Sequence, residues 1–262
     1  MRILLNGICG HMGREVVKLA KAGYRDAEIT VGVDVSATGE EAPLSVKSFS
    51  EIDKLDGVDC IIDFSHHSCV SDLLAFAVEN GIPTVVATTG HTSEEVLEIK
   101  EASRRIPVFF SANMSLGVAL LVELAKKASL AMPDAEIEII EKHHNRKLDA
   151  PSGTALMIAN AIIETRKDSY VNCGRDGQGK RTKEEIGIHA VRMGNIVGEH
   201  EVIIGTDNQT ITLKHEAHSR ALFAEGALSA ADFLIGCPAG LYDMKSIVSG
   251  EAKSDSKMTV SV

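Results

Sequence analysis

Asn6-Gly7-Ile8-Cys9-Gly10-His11-Met12-Gly13-Arg14, directly after the apolar run Ile3-Leu4-Leu5, decides the fold of this chain. A short apolar strand that breaks into glycines and then opens a helix presents free backbone N–H groups at the helix N-terminus. The pyrophosphate of a dinucleotide rests on such groups. Glycine is needed because a Cβ would hold the phosphates away from the N–H groups, and Gly13 lets helix and strand approach closely. The usual spacing is Gly-x-Gly-x-x-Gly. With Gly10 and Gly13 in its second and third places, the first falls on Ile8 and Gly7 stands one residue early, so the tight turn takes a different shape. Asp34 ends the next apolar run, where a carboxylate accepts hydrogen bonds from the adenosine ribose. Glycine-rich turns also occur without a nucleotide; strand, helix and acid together favour the dinucleotide.

Outward from this turn, short apolar runs alternate with helical stretches, the βαβ pattern of a parallel sheet covered by helices. Strands are expected at 2–6, 28–33, 60–64, 84–87 and 108–110, with helices near 14–22, 68–80 and 93–104. Asn80-Gly81 and Pro83 close the second helix. The rhythm then changes. Residues 118–131 read as a helix, 136–139 alternate as a strand, and a helix at 154–165 is followed by a polar, glycine-rich stretch at 172–180. Strand-like runs at 188–193, 201–204 and 210–213 precede a last long helix at 221–235. The expected architecture is α/β: a doubly wound, Rossmann-type dinucleotide-binding domain over 1–114, with a C-terminal return at 224–262. An α+β substrate and oligomerisation domain with a mostly antiparallel sheet spans 115–223.

Three loops at strand ends belong to the same rim as the glycine turn: Asp63-Phe64-Ser65, Ala87-Thr88-Thr89-Gly90 and Ser111-Ala112-Asn113-Met114. Ligands of open parallel sheets bind at those carboxyl ends. Each loop taken alone is ordinary turn chemistry, as open to a structural as to a functional reading.

Composition narrows the function classes. The 262 residues carry a net charge of −10, so the global field repels phosphate backbones, and no nucleic-acid partner is expected. The five cysteines are odd in number, with no Cys-x-x-Cys pair and no zinc-finger spacing, and read as reduced thiols with no metal site. No apolar run reaches a membrane span and no leader precedes the first strand, so the expectation is a cytoplasmic protein. An anionic substrate would have to be drawn by a local basic cluster.

One segment answers that description: Glu141-Lys142-His143-His144-Asn145-Arg146-Lys147-Leu148-Asp149-Ala150-Pro151-Ser152-Gly153-Thr154-Ala155. Ser152-Gly153-Thr154 after Pro151 reads as an N-cap and first turn, offering N–H groups and hydroxyls to an anion such as a carboxylate. His143, His144 and Lys147 supply proton donors and positive charge beside it. A cationic strand end is usually a solvated face, but here cations, acid–base groups and a helix N-terminus converge. His66-His67 lacks a neighbouring anion site and reads as structural.

With these motifs in place, the chain resembles the dihydrodipicolinate reductase family, also called 4-hydroxy-tetrahydrodipicolinate reductase, over nearly its whole length. The resemblance is carried by GxxGxMG at 7–13, IDFS at 62–65, ATTG at 87–90, SANMSLGV at 111–118, ExHHxxKxDAPSGTA at 141–155, VRMGNIVGEHEV at 191–202 and GLYDM at 240–244. It implies reduction of a cyclic imine dicarboxylate by NADH or NADPH with loss of the 4-hydroxyl as water, in lysine and diaminopimelate biosynthesis. It also implies a homotetramer built through the second domain's sheet. His143 matches the family's proton donor and acceptor and Lys147 its second proton donor, while His144, Gly153 and Thr154 match the carboxylate contacts, with Ser152 at the same helix start. Gly7, Ile8, Cys9, Gly10, His11, Met12, Asp34, Phe64, Ala87, Thr88, Thr89, Ser111, Ala112, Asn113 and Met114 fall in its cofactor motifs. Asp34, followed by the uncharged Val35, favours NADH or near parity, although His11 and Arg14 could lend charge to a 2′-phosphate.

Two rivals remain at this level. Another nicotinamide dehydrogenase of amino-acid synthesis, such as a semialdehyde dehydrogenase, would need a cysteine nucleophile in the second domain, and only Cys173 lies there. A non-catalytic dinucleotide-sensing module would share the fold but has no use for proton donors beside an anion hole.

Overall fold

The computed structural model describes residues 1–53 and 55–250. Along the chain run β1 (Arg2–Asn6), α1 (His11–Lys21), β2 (Glu28–Val33), β3 (Leu44–Val46), β4 (Cys60–Asp63), α2 (Val70–Asn80), β5 (Thr84–Val86), α3 (Ser93–Ala102) and β6 (Pro107–Phe110). There follow α4 (Leu116–Ala131), β7 (Glu136–His143), α5 (Gly153–Ile163), β8 (Tyr170–Cys173), β9 (Glu185–Arg192), β10 (Gly198–Thr206) and β11 (Gln209–Ala217). The chain closes with α6 (Ala221–Leu234), β12 (Gly240–Tyr242) and α7 (Met244–Ser249). It packs as two units, Met1–Ser115 with Ala221–Val262, and Leu116–Arg220; residues 251–262 of the expected return lie outside the described residues. Among the described residues, no helix is long and apolar enough to cross a membrane.

The first unit is a seven-stranded parallel sheet in the order β12-β6-β5-β4-β1-β2-β3. Its central strands are buried on both faces, which is why Ile3-Leu4-Leu5 and Cys60-Ile61-Ile62 read as unbroken apolar runs. Strand order reverses between β1 and β4, and ligands of such sheets bind outside the carboxyl ends at that switch point. Gly7 and Phe64 follow those two strands. Helix α2 ends at Gly81 in the left-handed conformation, and α3 opens with a capping box between Thr92 and Glu95. The edge strands β3 and β12 and helix α7 were not expected from sequence. β3 and β12 are three residues long, too short for a periodic pattern to register.

The second unit is a five-stranded mixed sheet in the order β11-β10-β7-β9-β8. Its longest pairing, β10 with β11, is antiparallel, as is β10 with β7, while β7–β9 and β9–β8 are parallel. The parallel edge strand β8 runs into the stretch read from sequence as a polar loop. In β7 every second residue is buried: Ile137, Ile139, Glu141 and His143. The two isoleucines join the core formed with α4 and α5, including Leu121, Ile158 and Ile162. The same alternation therefore carries a carboxylate and an imidazole inward.

Candidate active site

In the first unit the glycine turn is built by close approach. Gly7 has φ +82°, a Cβ on it would lie 2.5 Å from the Phe64 carbonyl oxygen, and its N–H donates to Val33 O at 2.8 Å. Gly7, not position 8, is thus the conformationally special first glycine. Ile8 is buried instead, its Cδ1 2.7 Å from where a Cβ of Gly32 would stand. A Cβ on Gly13 would come 2.2 Å from Gly7 O, so the helix start can press onto the turn only as glycine. Gly10 caps α1 with no side-chain bond, leaving the helix N-terminus open to an anion.

Asp34 sits beside this turn. Its carboxylate accepts the Cys9 N–H at 3.0 Å and the Ser36 N–H at 2.9 Å, which fixes it at the rim. A cavity of about 840 Å³ is lined by Gly7, Gly10, Asp34 and Phe64, together with Lys47, Ser48, Ser65 and His66. A second, of about 400 Å³, is lined by Met12, Phe64, Ala87, Thr88, Thr89, Ala112 and Met114, with His66 and His67. Phe64, Ser65 and His66 border both, so the cavities adjoin at the end of β4. The Met114 loop is held by α6: a Cβ on Gly226 would lie 1.6 Å from Met114 O.

The remaining expected cofactor residues do not line either cavity. Ile8 is buried, Cys9 is turned toward Glu41 with its thiol pushed up by burial and by Asp34, and His11 is exposed. Ser111 and Asn113 fold their loop on itself, Ser111 Oγ donating to Asn113 O at 2.9 Å and Asn113 Oδ1 accepting the Ser115 N–H at 2.9 Å. The adjoining cavities and a glycine cradle that any Cβ would fill suit a dinucleotide. Lys47, Ser48, His66 and His67 line the cavities without having been named from sequence: β3 carries no periodic signal, and the histidine pair reads as structural, in keeping with His66 capping through the Ser68 N–H and His67 pairing with Glu95.

In the second unit the centre is Glu141, fully buried at the end of β7. Its Oε2 lies 2.6 Å from His143 Nδ1, and it accepts Arg192 Nη1 and Nη2 at 2.8 and 2.6 Å and the Ser152 N–H at 3.0 Å. Burial alone would push the carboxyl up, but Arg192, His143 and Ser152 together hold it below the usual carboxylate range. The sheet register assembles this group, since β9 pairs Arg192 with His143 and β10 pairs His200 with Glu141. With Nδ1 engaged by Glu141, Nε2 is the ring nitrogen left available on His143. A Cβ on Gly198 would lie 3.1 Å from it, so glycine keeps that atom uncrowded.

Ser152 caps α5, accepting the Ala155 N–H at 3.2 Å, and its hydroxyl lies 3.1 Å from His200 Nε2. It is buried and already committed, so it shapes the helix start, where the next residue, Gly153, is exposed. Lys147 Nζ pairs with Asp149 at 2.8 Å, and its N–H donates to His144 O at 3.2 Å in a tight turn. Burial, then Arg146 and Arg220, push His144 down, and its Nδ1 is buried with no hydrogen-bond partner. Such a nitrogen is costly to leave unsatisfied and suits a ligand oxygen. Glu141, Arg192 and His200, which the structure brings to this cluster, were not named as candidates from sequence, although all three lie in the motif strings. Among the described residues, no group of His, Cys, Asp and Glu has the arrangement of a metal site.

A family model described as "Dihydrodipicolinate reductase, N-terminus" matches residues 1–114, and one described as "Dihydrodipicolinate reductase, C-terminus" matches 117–248. The chain is 46% identical over 251 residues to the 4-hydroxy-tetrahydrodipicolinate reductase of Caldanaerobacter subterraneus subsp. tengcongensis, a match that covers 95% of this chain and 98% of that protein. It is 45% identical over 249 residues to the protein of the same name from Clostridium tetani, covering 93% and 95%. Among solved structures, a dipicolinate-bound dihydrodipicolinate reductase from Paenisporosarcina sp. TG-14 matches in fold, with a TM-score of 0.80 at 24% identity over 94% of this chain and 99% of that one. A myo-inositol dehydrogenase from Corynebacterium glutamicum matches more loosely, with a TM-score of 0.54 at 18% identity over 97% and 90%.

Proposed function

This chain belongs to the dihydrodipicolinate reductase family and is a nicotinamide-dependent 4-hydroxy-tetrahydrodipicolinate reductase of lysine and diaminopimelate biosynthesis, and we propose how its own residues carry that reaction. When bound, NADH or NADPH supplies the hydride. The glycine turn, Asp34 and the loops at 64, 87–89 and 111–114 hold the dinucleotide. His144, Gly153 and Thr154 hold the carboxylates of the cyclic substrate at the start of α5.

The departing hydroxyl takes a proton to leave as water while the neighbouring ring carbon gives one up, which makes the ring conjugated. Hydride arrival then leaves electron density that takes one proton back at that carbon, so one proton is consumed for each hydride. His143 serves as proton donor through Nε2, and Lys147 as the second donor. A positioned acid of this kind accelerates such a step by about 10²- to 10⁴-fold. The single observation that carries this reading is the Glu141 carboxylate bound at once to His143, Arg192 and the Ser152 N–H at the anion-binding helix start. A structural histidine has no need of a buried, ionised partner that also fixes the neighbouring anion site.

We further read the protein as cytoplasmic and as a homotetramer. In the second sheet the face turned from α4 and α5 carries the half-buried Ile140 and Ile203, and β11 runs nine residues along the edge, a surface suited to pairing with copies of itself. Sedimentation would give its mass. The activity is tested by mixing the protein with freshly generated 4-hydroxy-tetrahydrodipicolinate and following NADH absorbance. Substrate-dependent oxidation is expected, and none with either cofactor would overturn the reading.

A further inference from the structure

Val46, the last residue of β3, pairs with Val33 at the end of β2, and the Asp34 N–H donates to Val46 O at 3.1 Å. The chain therefore leaves these adjacent parallel strands as Asp34 on one and Lys47 on the other, and both line the larger cavity beside Gly7 and Gly10. Among the described residues that line it, Lys47 is the one lysine or arginine, and the carboxylates are Asp34, Asp53, Asp72 and Glu79. The Lys47 N–H donates to Glu51 Oε2 at 3.2 Å, but no ion pair among the described residues engages its ammonium. Asp34, by contrast, is already tied by two backbone N–H groups. An unpaired cation next to a ribose-binding acid, at a helix N-terminus suited to pyrophosphate, is placed for an additional anion on that ribose. The Ser48 and Ser50 hydroxyls, 2.8 Å apart and lining the same cavity, can add hydrogen bonds to phosphate oxygens.

We propose that Lys47 is the specificity-determining cation for the 2′-phosphate of NADPH, so that Asp34 serves the free ribose hydroxyls of NADH and Lys47 the phosphate of NADPH at one site. The inference rests on the reading that this cavity holds the adenosine half of the cofactor. It also reverses what the local sequence suggests, because Val35, next to the acid, offers no charge. The pairing of a short edge strand brings the cation there from outside the motif.

The test is equilibrium binding of NADH, NADPH, 5′-AMP and 2′,5′-ADP to the full chain and to Lys47→Ala and Lys47→Arg. Lys47→Ala should weaken NADPH and 2′,5′-ADP by about tenfold or more, the worth of one charge-assisted hydrogen bond, with NADH and 5′-AMP changed less than about twofold. Lys47→Arg should retain most of the NADPH affinity, and the salt dependence of NADPH binding should flatten in Lys47→Ala. If the wild type binds both cofactors and Lys47→Ala weakens neither, or weakens both alike, the proposal is overturned while the cofactor site stands. If the wild type binds neither, or Asp34→Ala leaves NADH and 5′-AMP binding untouched, the assignment of the adenosine half fails and the proposal falls with it.

Discussion

His143 Nδ1 lies 2.6 Å from Glu141 Oε2, two residues earlier on the same strand, and the same carboxylate takes both terminal nitrogens of Arg192. The strand alternation that buries Ile137 and Ile139 puts both groups on one inward face, and the β7–β9 register supplies the arginine. Glu141 thus acts as a positioning residue: it holds the imidazole with Nδ1 engaged and Nε2 available. Glu141→Gln keeps the volume but loses the charge, so kcat should fall at least about tenfold with NADH affinity unchanged. Because Arg192 loses its buried partner, thermal stability should fall too, by about 3 kcal/mol. A kcat equal to that of wild type would show that the carboxylate only stabilises the fold.

His143→Ala and Lys147→Ala each should lower kcat strongly and leave the NADH dissociation constant nearly unchanged, because both lie in the second unit and the glycine turn in the first. Fluorescence titration with NADH decides the point. A tenfold loss of cofactor affinity in either variant would place these residues at the wrong site.

Gly13→Ala should destabilise the first unit by about 2 kcal/mol or more and abolish tight cofactor binding, because its Cβ would overlap Gly7 O at 2.2 Å. Gly153→Ala is the contrast. Nothing lies within 4 Å of the Cβ it would gain, so the fold should tolerate it while the KM for the dicarboxylate rises. Urea unfolding and steady-state kinetics of the two variants separate the effects, and equal stability losses would contradict this account.

Burial, then His143, pushes His200 down from 6.5 to about 4. The unfolded chain therefore binds a proton between those values that the native chain does not, and stability falls as pH drops from 6.5 toward 4. The loss attributable to this group is on the order of 3 kcal/mol. Glu141, held below its usual value, adds a further loss at lower pH as it protonates. His200→Gln should flatten the slope between pH 6.5 and 4, measured by urea midpoints; an unchanged slope would assign the acid sensitivity elsewhere.

The first unit was legible because its sheet is buried on both faces, so strands appear as apolar runs and helices as the amphipathic stretches between them. β3 and β12 were not, because three residues at a sheet edge carry no period. The parallel pairs of the second sheet were equally hidden, since alternation along a strand reports which face is wet and not which way the neighbour runs.

For the candidate site, the local string from Glu141 to Ala155 pointed to titratable side chains beside a helix start, because residues close in sequence on a strand, turn and helix cap stay close in space. Sequence by itself thus determined the glycine turn, the acid after the second strand and the His-His-x-x-Lys segment, all set by local backbone geometry and residue chemistry. Only the tertiary structure decided that Arg192 and His200 meet Glu141 and Ser152, that Ser152 is committed to its cap, and that Lys47 stands beside Asp34. Those contacts are made by strand register between segments far apart in the chain, and register is fixed by the packing of the whole sheet, which no local motif encodes.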